Sequence, residues 1–210
     1  MTLSKHDILS EYGKDNIVIN PYRSEQLNNA SYDVRLGEYY CRARELEKRA
    51  SSSGYERTPI FNPFVEGTAE NVWEVKKVDS DGLIWLEPGE MILAHTEEFI
   101  GSRGDIVGYM QSKSSTARNF ISVCRCAGWG DIGYINRWTM EIVNHSPYYR
   151  IPLKAGMRIA QIVFSRVETG LDERNHYVQA GGQYQDGTTL EDVMKNWKPD
   201  NMICKVWKKS

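Results

Sequence analysis

From Ile17 onward the chain alternates short apolar runs with Gly, Pro and Asn punctuation, at residues 17–19, 32–36, 72–75, 83–86, 91–94, 106–110, 121–126, 138–143 and 158–164. Val, Ile, Tyr and Trp recur in these runs, and branched or aromatic side chains suit a pleated, half-buried surface. Many short strands at this spacing predict a mainly β chain, a barrel or jelly roll. Two stretches break the pattern. Ser4-Lys5-His6-Asp7, followed by Ile8, Leu9 and Tyr12 and stopped by Gly13, reads as a short capped N-terminal helix with an apolar face. Thr188-Thr189-Leu190-Glu191 caps a C-terminal helix that puts Leu190, Val193, Met194 and Trp197 on one face, against core or a subunit interface. Residues 42–58, with Arg44-Glu45-Leu46-Glu47-Lys48-Arg49 and a serine run, read as a solvated, mobile insertion without chemistry. No repeat or second domain interrupts 1–210.

Composition narrows the classes of partner. At 210 residues the chain fits one domain with a respectable core, and with 40% hydrophobic residues it has no stretch able to span a bilayer. No charged-then-apolar leader is expected, and four scattered cysteines read as reduced thiols in a cytoplasmic protein. A net charge of -2 disfavours nucleic acid and favours a small anion held by a local basic pocket.

Residues 113–144 concentrate the candidate chemistry. Lys113-Ser114-Ser115, with Arg118 three residues on, offers two cations and two hydroxyls in one turn, the equipment for a phosphate chain or, blandly, an ordinary turn with a surface ion pair. Glu141 lies among Trp138, Met140 and Ile142, where a carboxylate is costly unless it has a partner or a task; a solvent-facing strand position is the alternative. Asp131, in Ala-Gly-Trp-Gly-Asp, is either a ligand group or a turn residue. His95-Thr96-Glu97 and Cys124-Arg125-Cys126 echo the zinc deaminase signature, but the cysteine spacing is wrong and the proline missing, so no zinc is expected. On a strand Cys124 and Cys126 would share a face as packing residues.

Asn20-Pro21, Ala30-Ser31-Tyr32-Asp33-Val34-Arg35-Leu36-Gly37, Pro88-Gly89-Glu90, 113–118, 127–131, Met140-Glu141-Ile142 and Gly156-Met157-Arg158-Ile159-Ala160-Gln161 follow one another in an order that resembles the dCTP deaminase branch of the dUTPase superfamily. The resemblance covers roughly 1–40 and 83–187. It implies a homotrimer of distorted dUTPase-like jelly-roll subunits with sites between subunits, acting on dCTP whose triphosphate carries Mg2+. It also implies roles: Glu141 as general base and acid, Ser114 and the Ala127 carbonyl on the attacking water, Arg118 on charge at Glu141 or phosphate, Lys113 and Ser115 on phosphate, Asp131 on the 3′-hydroxyl, and Tyr134 under the sugar. Thr139, Met140, Gln161, Tyr177, Gln183 and Tyr184 complete the nucleotide contacts it implies, and 176–210 becomes a lid and tail.

Hydrolytic deamination to dUTP and ammonia is the implied reaction. The text around Ala127-Gly128-Trp129 also resembles members that run on to dUMP and diphosphate. A nucleotide-binding regulator on the same fold and a plain dUTPase are the remaining alternatives. Against the family pattern, Lys113 replaces arginine, Gly130 a branched residue, Asn136 glycine, Gln183 lysine and Gly187 glutamine. Three of these remove or alter groups near the ligand, which points toward a modified cytosine or fewer phosphates.

Overall fold

The structure is a computed structural model, described here for residues 1–44, 59–124, 127–168, 176–179, 181–185 and 187–209. The N-terminal helix α1 (Lys5–Gly13) starts where the capping signal puts it: the Ser4 hydroxyl accepts from the Asp7 amide while the Asp7 carboxylate accepts from the Ser4 amide at 3.0 Å. Its predicted apolar face is narrower than expected, because only Ile8 is fully buried and Leu9 and Tyr12 stay exposed. Instead Glu11, 3% exposed, is gripped by Asn16 (2.7 Å), Lys14 (2.9 Å) and Arg166 (2.7 Å), which ties the helix to a residue 155 positions away. Those donors hold its carboxyl below the usual range, Asn16 most strongly.

The strands are β1 (Ile17–Asn20), β2 (Tyr32–Ala43), β3 (Trp73–Lys77), β4 (Leu83–Leu86), β5 (Met91–Ser102), β6 (Ile106–Ser112), β7 (Ile121–Val123), β8 (Trp129–Gly130), β9 (Ile135–Asn144), β10 (Ile151–Lys154) and β11 (Arg158–Arg166). Among the described residues nine of them form one curled antiparallel sheet in the order β7-β9-β5-β2-β11-β6-β8, with β1 added to β5 and β3 to β2. β4 and β10 pair separately. Helix α2 (Thr68–Val72) and the single turn α3 (Ser114–Ala117) are short, and α4 (Leu190–Asn196) lies near the C-terminus, followed by two 3-10 turns, Pro199–Met202 and Val206–Lys209. The mainly β jelly-roll expectation, with helices at both ends, holds.

Two strands run well past their apolar text. β5 continues through His95, Thr96, Glu97 and Glu98 because their polar atoms are answered inside the fold. The Tyr39 amide donates to His95 Nε2 at 3.2 Å, leaving Nδ1–H for the Thr96 carbonyl at 2.8 Å, and burial pushes this imidazole down to about 4, so it is neutral. Glu98 accepts from Gln26 (2.8 Å) and from the Arg35 amide (2.9 Å). β2 extends through Ala43, so Arg42 and Ala43 belong to the sheet and not to an insertion: the Arg42 guanidinium donates to Glu90 at 2.5 Å. Residues 45–58 of that expected insertion lie outside the described residues.

The main core fills the concave face, with Tyr32, Leu36, Ile92, Ile100, Met110, Met140, Ile142 and Phe164 among its buried members. A satellite core of Cys41, Ala69, Leu93, Met202 and Ile203 lies beneath the C-terminal residues. Burial raises the Cys41 thiol to about 12, which makes it a packing residue. In α4, whose Thr189 hydroxyl caps the Asp192 amide at 3.1 Å, Val193 is buried, Met194 remains 44% exposed, and Trp197 has already left the helix.

Gly101 marks a close approach between β5 and the chain entering β9: a Cβ there would stand 1.9 Å from the Tyr134 carbonyl oxygen, a backbone atom that cannot swing aside. Gly101→Ala is therefore expected to cost about 1–3 kcal/mol, read by urea unfolding. An unchanged midpoint would show that the strand crossing yields freely.

Candidate active site

β9 sorts its side chains by strict alternation. Asn136, Trp138, Met140, Ile142 and Asn144 are buried, whereas Arg137, Thr139, Glu141 and Val143 are half-buried on the other face. Leu93 of β5 is the direct register partner of Glu141, and such side chains stand about 5 Å apart at Cβ. The carboxyl thus emerges beside an apolar neighbour, and burial raises its proton affinity above the ordinary glutamate range. Its Oε2 is buried and has no hydrogen-bond partner among the described residues. An acceptor left unsatisfied at this cost is a group waiting for a donor.

Glu141 opens into a cavity of about 500 Å3 that is also lined by Leu93, Ala127, Asp131, Tyr134, Thr139, Tyr177, Gln183 and Tyr184. Its aromatic floor is built edge to face, with Tyr134 4.9 Å from Tyr177 and 5.4 Å from Trp138 between ring centroids. Burial lifts the Tyr134 phenol well above its usual range, so it stays protonated. Asp131 is exposed in the turn that ends at Tyr134, whose amide donates to the Asp131 carbonyl at 3.0 Å. Its Oδ1 accepts from the Trp129 indole at 2.9 Å, which leaves Oδ2 for a ligand.

Of the residues singled out in the sequence, Glu141, Ala127, Asp131, Tyr134, Thr139, Tyr177, Gln183 and Tyr184 converge on this cavity. The other six do not line it. Ser114, Ser115 and Arg118 are exposed on α3, where the Arg118 amide donates to the Ser114 carbonyl at 3.0 Å. Lys113 is drawn off by Asp33, a fully buried carboxylate that accepts from its ammonium at 2.5 Å and also from Asn28 (2.9 Å) and Arg158 (3.3 Å). Met140 is fully buried on the opposite pleat from Glu141, and Gln161 sits on β11, accepting from Ser31 at 3.4 Å.

Among the described residues His95, Glu97 and Cys124 do not gather as metal ligands: the His95 ring is committed to backbone groups, Glu97 pairs with Arg23 at 2.7 Å, and Cys124 packs against the Met110 sulfur. Cys126 lies outside the described residues. Leu93, Met202 and Cys204 line the cavity without having been singled out for it. For Leu93 the signal was available, since it falls opposite Glu141 once β5 and β9 are paired. Residues 198–204 carry no motif.

Two departures from the family pattern find physical reasons. A Cβ on Gly130 would stand 2.3 Å from the Trp138 indole, so this chain places the bulk on Trp138 and keeps 130 bare. Asn136 uses its side chain twice, accepting from the Arg137 amide at 2.8 Å and donating to the Tyr184 carbonyl at 2.6 Å.

A curled, mainly β antiparallel sheet whose outer face carries a half-buried carboxyl, one oxygen of it without a partner among the described residues, beside an aromatic-floored cavity is the framework of a mainly β enzyme. The chain belongs to the dCTP deaminase-like family, whose model matches residues 2–167. It is 33% identical over 187 residues to a protein of Methanopyrus kandleri named dCTP deaminase, dUMP-forming, covering 87% of this chain and 89% of that one. It is 31% identical over 200 residues to a protein of the same name from Methanospirillum hungatei, covering 94% and 99%. Among solved structures, 2′-deoxycytidine 5′-triphosphate deaminase from Agrobacterium tumefaciens superposes with a TM-score of 0.57 at 22% identity over 82% of this chain and half the length of that one, a likeness of fold. No helix of the described residues is long and apolar enough to cross a membrane.

The raised Glu141 carboxyl has a thermodynamic signature. The folded chain holds this proton more tightly than the unfolded chain does, so between the two affinities stability falls as pH rises. Glu141→Gln removes the penalty. The variant is expected to melt above the wild type at neutral pH, with the gap closing toward acid, measured by thermal unfolding across pH 4–8 as a range typical for such scans. A gap independent of pH would mean the carboxyl is well solvated.

Proposed function

We propose that this chain deaminates a deoxycytidine nucleotide, dCTP or a close relative, by zinc-independent hydrolysis, as a homotrimer with magnesium entering as part of the triphosphate substrate. The observation that carries this reading is Glu141, a half-buried carboxyl with one buried oxygen unsatisfied among the described residues and a raised proton affinity. As a carboxylate it takes a proton from water while the water oxygen bonds to C4 of cytosine, and it passes that proton to N3. The hydroxyl proton of the tetrahedral centre then travels over the same carboxyl to the amino nitrogen. Ammonia leaves as the C4 carbonyl forms, so one water is consumed and uracil is left. A proton affinity shifted toward the working pH suits a group that must accept and donate in turn. Asp131, with one oxygen unclaimed by Trp129, is the acceptor for a sugar hydroxyl, and Tyr134 underlies the ring.

The cavity supports the oligomeric part of the reading by what its walls hold. Asp131 and Glu141 line it, and no Lys, Arg or His does among the described residues. Two carboxylates without a cation repel a triphosphate. Meanwhile Ser114, Ser115 and Arg118 stand together and exposed on α3, and Arg118 has no ionic partner among the described residues. A second copy bringing its α3 turn to this cavity would provide the missing charge and the hydroxyl that holds the water beside Ala127. Lys113, bound by Asp33, then fixes the turn and does not reach phosphate itself. The relatives named dUMP-forming favour a second reading of the outcome, in which the same site continues to dUMP and diphosphate.

Purified protein with dCTP and magnesium is expected to release ammonia, and Glu141→Gln to lower the rate about 10^2–10^4-fold while keeping nucleotide binding by calorimetry. Chromatography of the products over dCTP, 5-substituted dCTP, dCMP and dUTP separates a dUTP end point from a dUMP one, and tight binding without any product would identify a regulator instead. A mixing experiment tests the shared sites. Glu141→Gln and Arg118→Ala chains, each inactive alone, should regain activity when unfolded and refolded together, because some sites then receive a wild-type residue from each copy. No recovery in mixed trimers would place Arg118 in its own chain's site.

A further inference from the structure

Residues beyond 167 lie outside the family match, yet they build part of the cavity. Four attachments hold this segment to its own barrel. Asn136 donates to the Tyr184 carbonyl at 2.6 Å, and the Ile135 amide donates to Gln185 Oε1 at 2.7 Å. Within the segment itself the Tyr184 amide donates to the Tyr177 hydroxyl at 3.0 Å, and Gly182 lies so close to the Tyr177 ring that a Cβ would stand 2.3 Å from it. Farther on, Trp197 packs 4.6 Å from the His95 ring, with the Arg137 guanidinium 4.7 Å above its own ring. Finally Met202 and Ile203, 3% and 5% exposed, enter the satellite core with Leu93, Cys41 and Ala69.

This docking puts two sulfur-bearing side chains where none of the sequence motifs would place them. Met202 reaches both the satellite core and the cavity, and Cys204 lines the cavity with its Sγ 3.0 Å from the Tyr184 hydroxyl. Leu93 completes the wall, directly opposite Glu141 in register. An apolar, polarisable wall beside the acid–base carboxyl suits the uncharged edge of a base and cannot serve phosphate or sugar hydroxyls.

We propose that Met202 and Cys204 are specificity-determining residues for the pyrimidine base, forming with Leu93 the wall that sets which ring substituents the site accepts. The inference rests on the nucleotide reading of the cavity and deepens it. Its substrate class is a deoxycytidine nucleotide whose base may be plain or carry a small uncharged substituent, and the size of that substituent is decided by a segment of the chain's own C-terminal region.

The test uses the full-length chain and has one arm that needs no turnover. Iodoacetamide labelling of Cys204 is followed by peptide mass spectrometry on the Glu141→Gln protein, with and without saturating dCTP. Nucleotide is expected to slow labelling about tenfold. Protection of Cys204, if the wild-type chain releases no ammonia from dCTP, would still support the wall while removing the deaminase reading, whereas equal labelling rates in a chain that binds dCTP would overturn the wall alone. In the second arm, the ratio of kcat/KM for 5-methyl-dCTP over dCTP is compared across Met202→Ala, Cys204→Ala and Cys204→Phe. The two truncations are expected to raise it about five- to tenfold and the phenylalanine to lower it. Cys204 is exposed, so its variants report even if Met202→Ala unfolds the satellite core. A ratio that stays constant in all folded variants would overturn the proposal.

Discussion

The pairing of β5 with β9 is the constraint on which the site depends. It sets Leu93 against Glu141, and the strict alternation along β9 then sends Trp138, Met140 and Ile142 into the core while the carboxyl turns outward. A slip of one residue would bury the glutamate in the main core and expose the methionine. The register is pinned from both sides: Trp138 fills the space left by Gly130 and donates its indole N–H to the Ile100 carbonyl at 2.7 Å, and the Thr96 hydroxyl accepts from the Trp138 amide at 2.9 Å. Core packing therefore fixes a side chain that does not belong to the core.

Charge is distributed by the same economy. The cavity keeps acids, while basic side chains that do not line it are engaged by other groups: Lys113 and Arg158 neutralise the buried Asp33, and Arg137 lies over the Phe99 and Trp197 rings. Asp33 has no exposed surface, and burying it without cations would be prohibitive. Its partners are thus structural before they are anything else, which separates Lys113 from Ser114, Ser115 and Arg118 although all four share one turn. A lysine can serve here because a point charge satisfies one carboxylate oxygen, and the bidentate fork of arginine is not required.

Much of this could be read from the sequence, and the parts that could not share a cause. The apolar run 138–143 located β9 and set Glu141 among apolar neighbours, and the capping signals located the starts of α1 and α4. The polar half of β5 was missed because His95, Thr96 and Glu98 look like surface residues until their partners are known; each is buried and answered by a group 2 to 72 residues away or by its neighbour. The outer face of β5 is covered as well, by residues near the C-terminus, so the alternation that marks a half-exposed strand never appears. Local text reports local geometry. It cannot report that Met202 returns to Leu93.

The same reasoning ties Gly130 and Asn136 each to a second residue. A branched residue at 130 is incompatible with the Trp138 indole, so the glycine and the tryptophan form one solution to one volume. Glycine at 136 could not hold the Tyr184 carbonyl, so Asn136 and the closing segment form another. In each pair the second member lies near the cavity: Trp138 beside Tyr134, and Tyr184 beside Gln183, whose amide donates to the Tyr184 hydroxyl at 3.1 Å. Gln183 in turn leaves a buried Oε1 without a partner, as Glu141 leaves its Oε2, so the cavity presents two acceptors that only a donor-bearing ligand can satisfy. An amino group and a water molecule offer such donors.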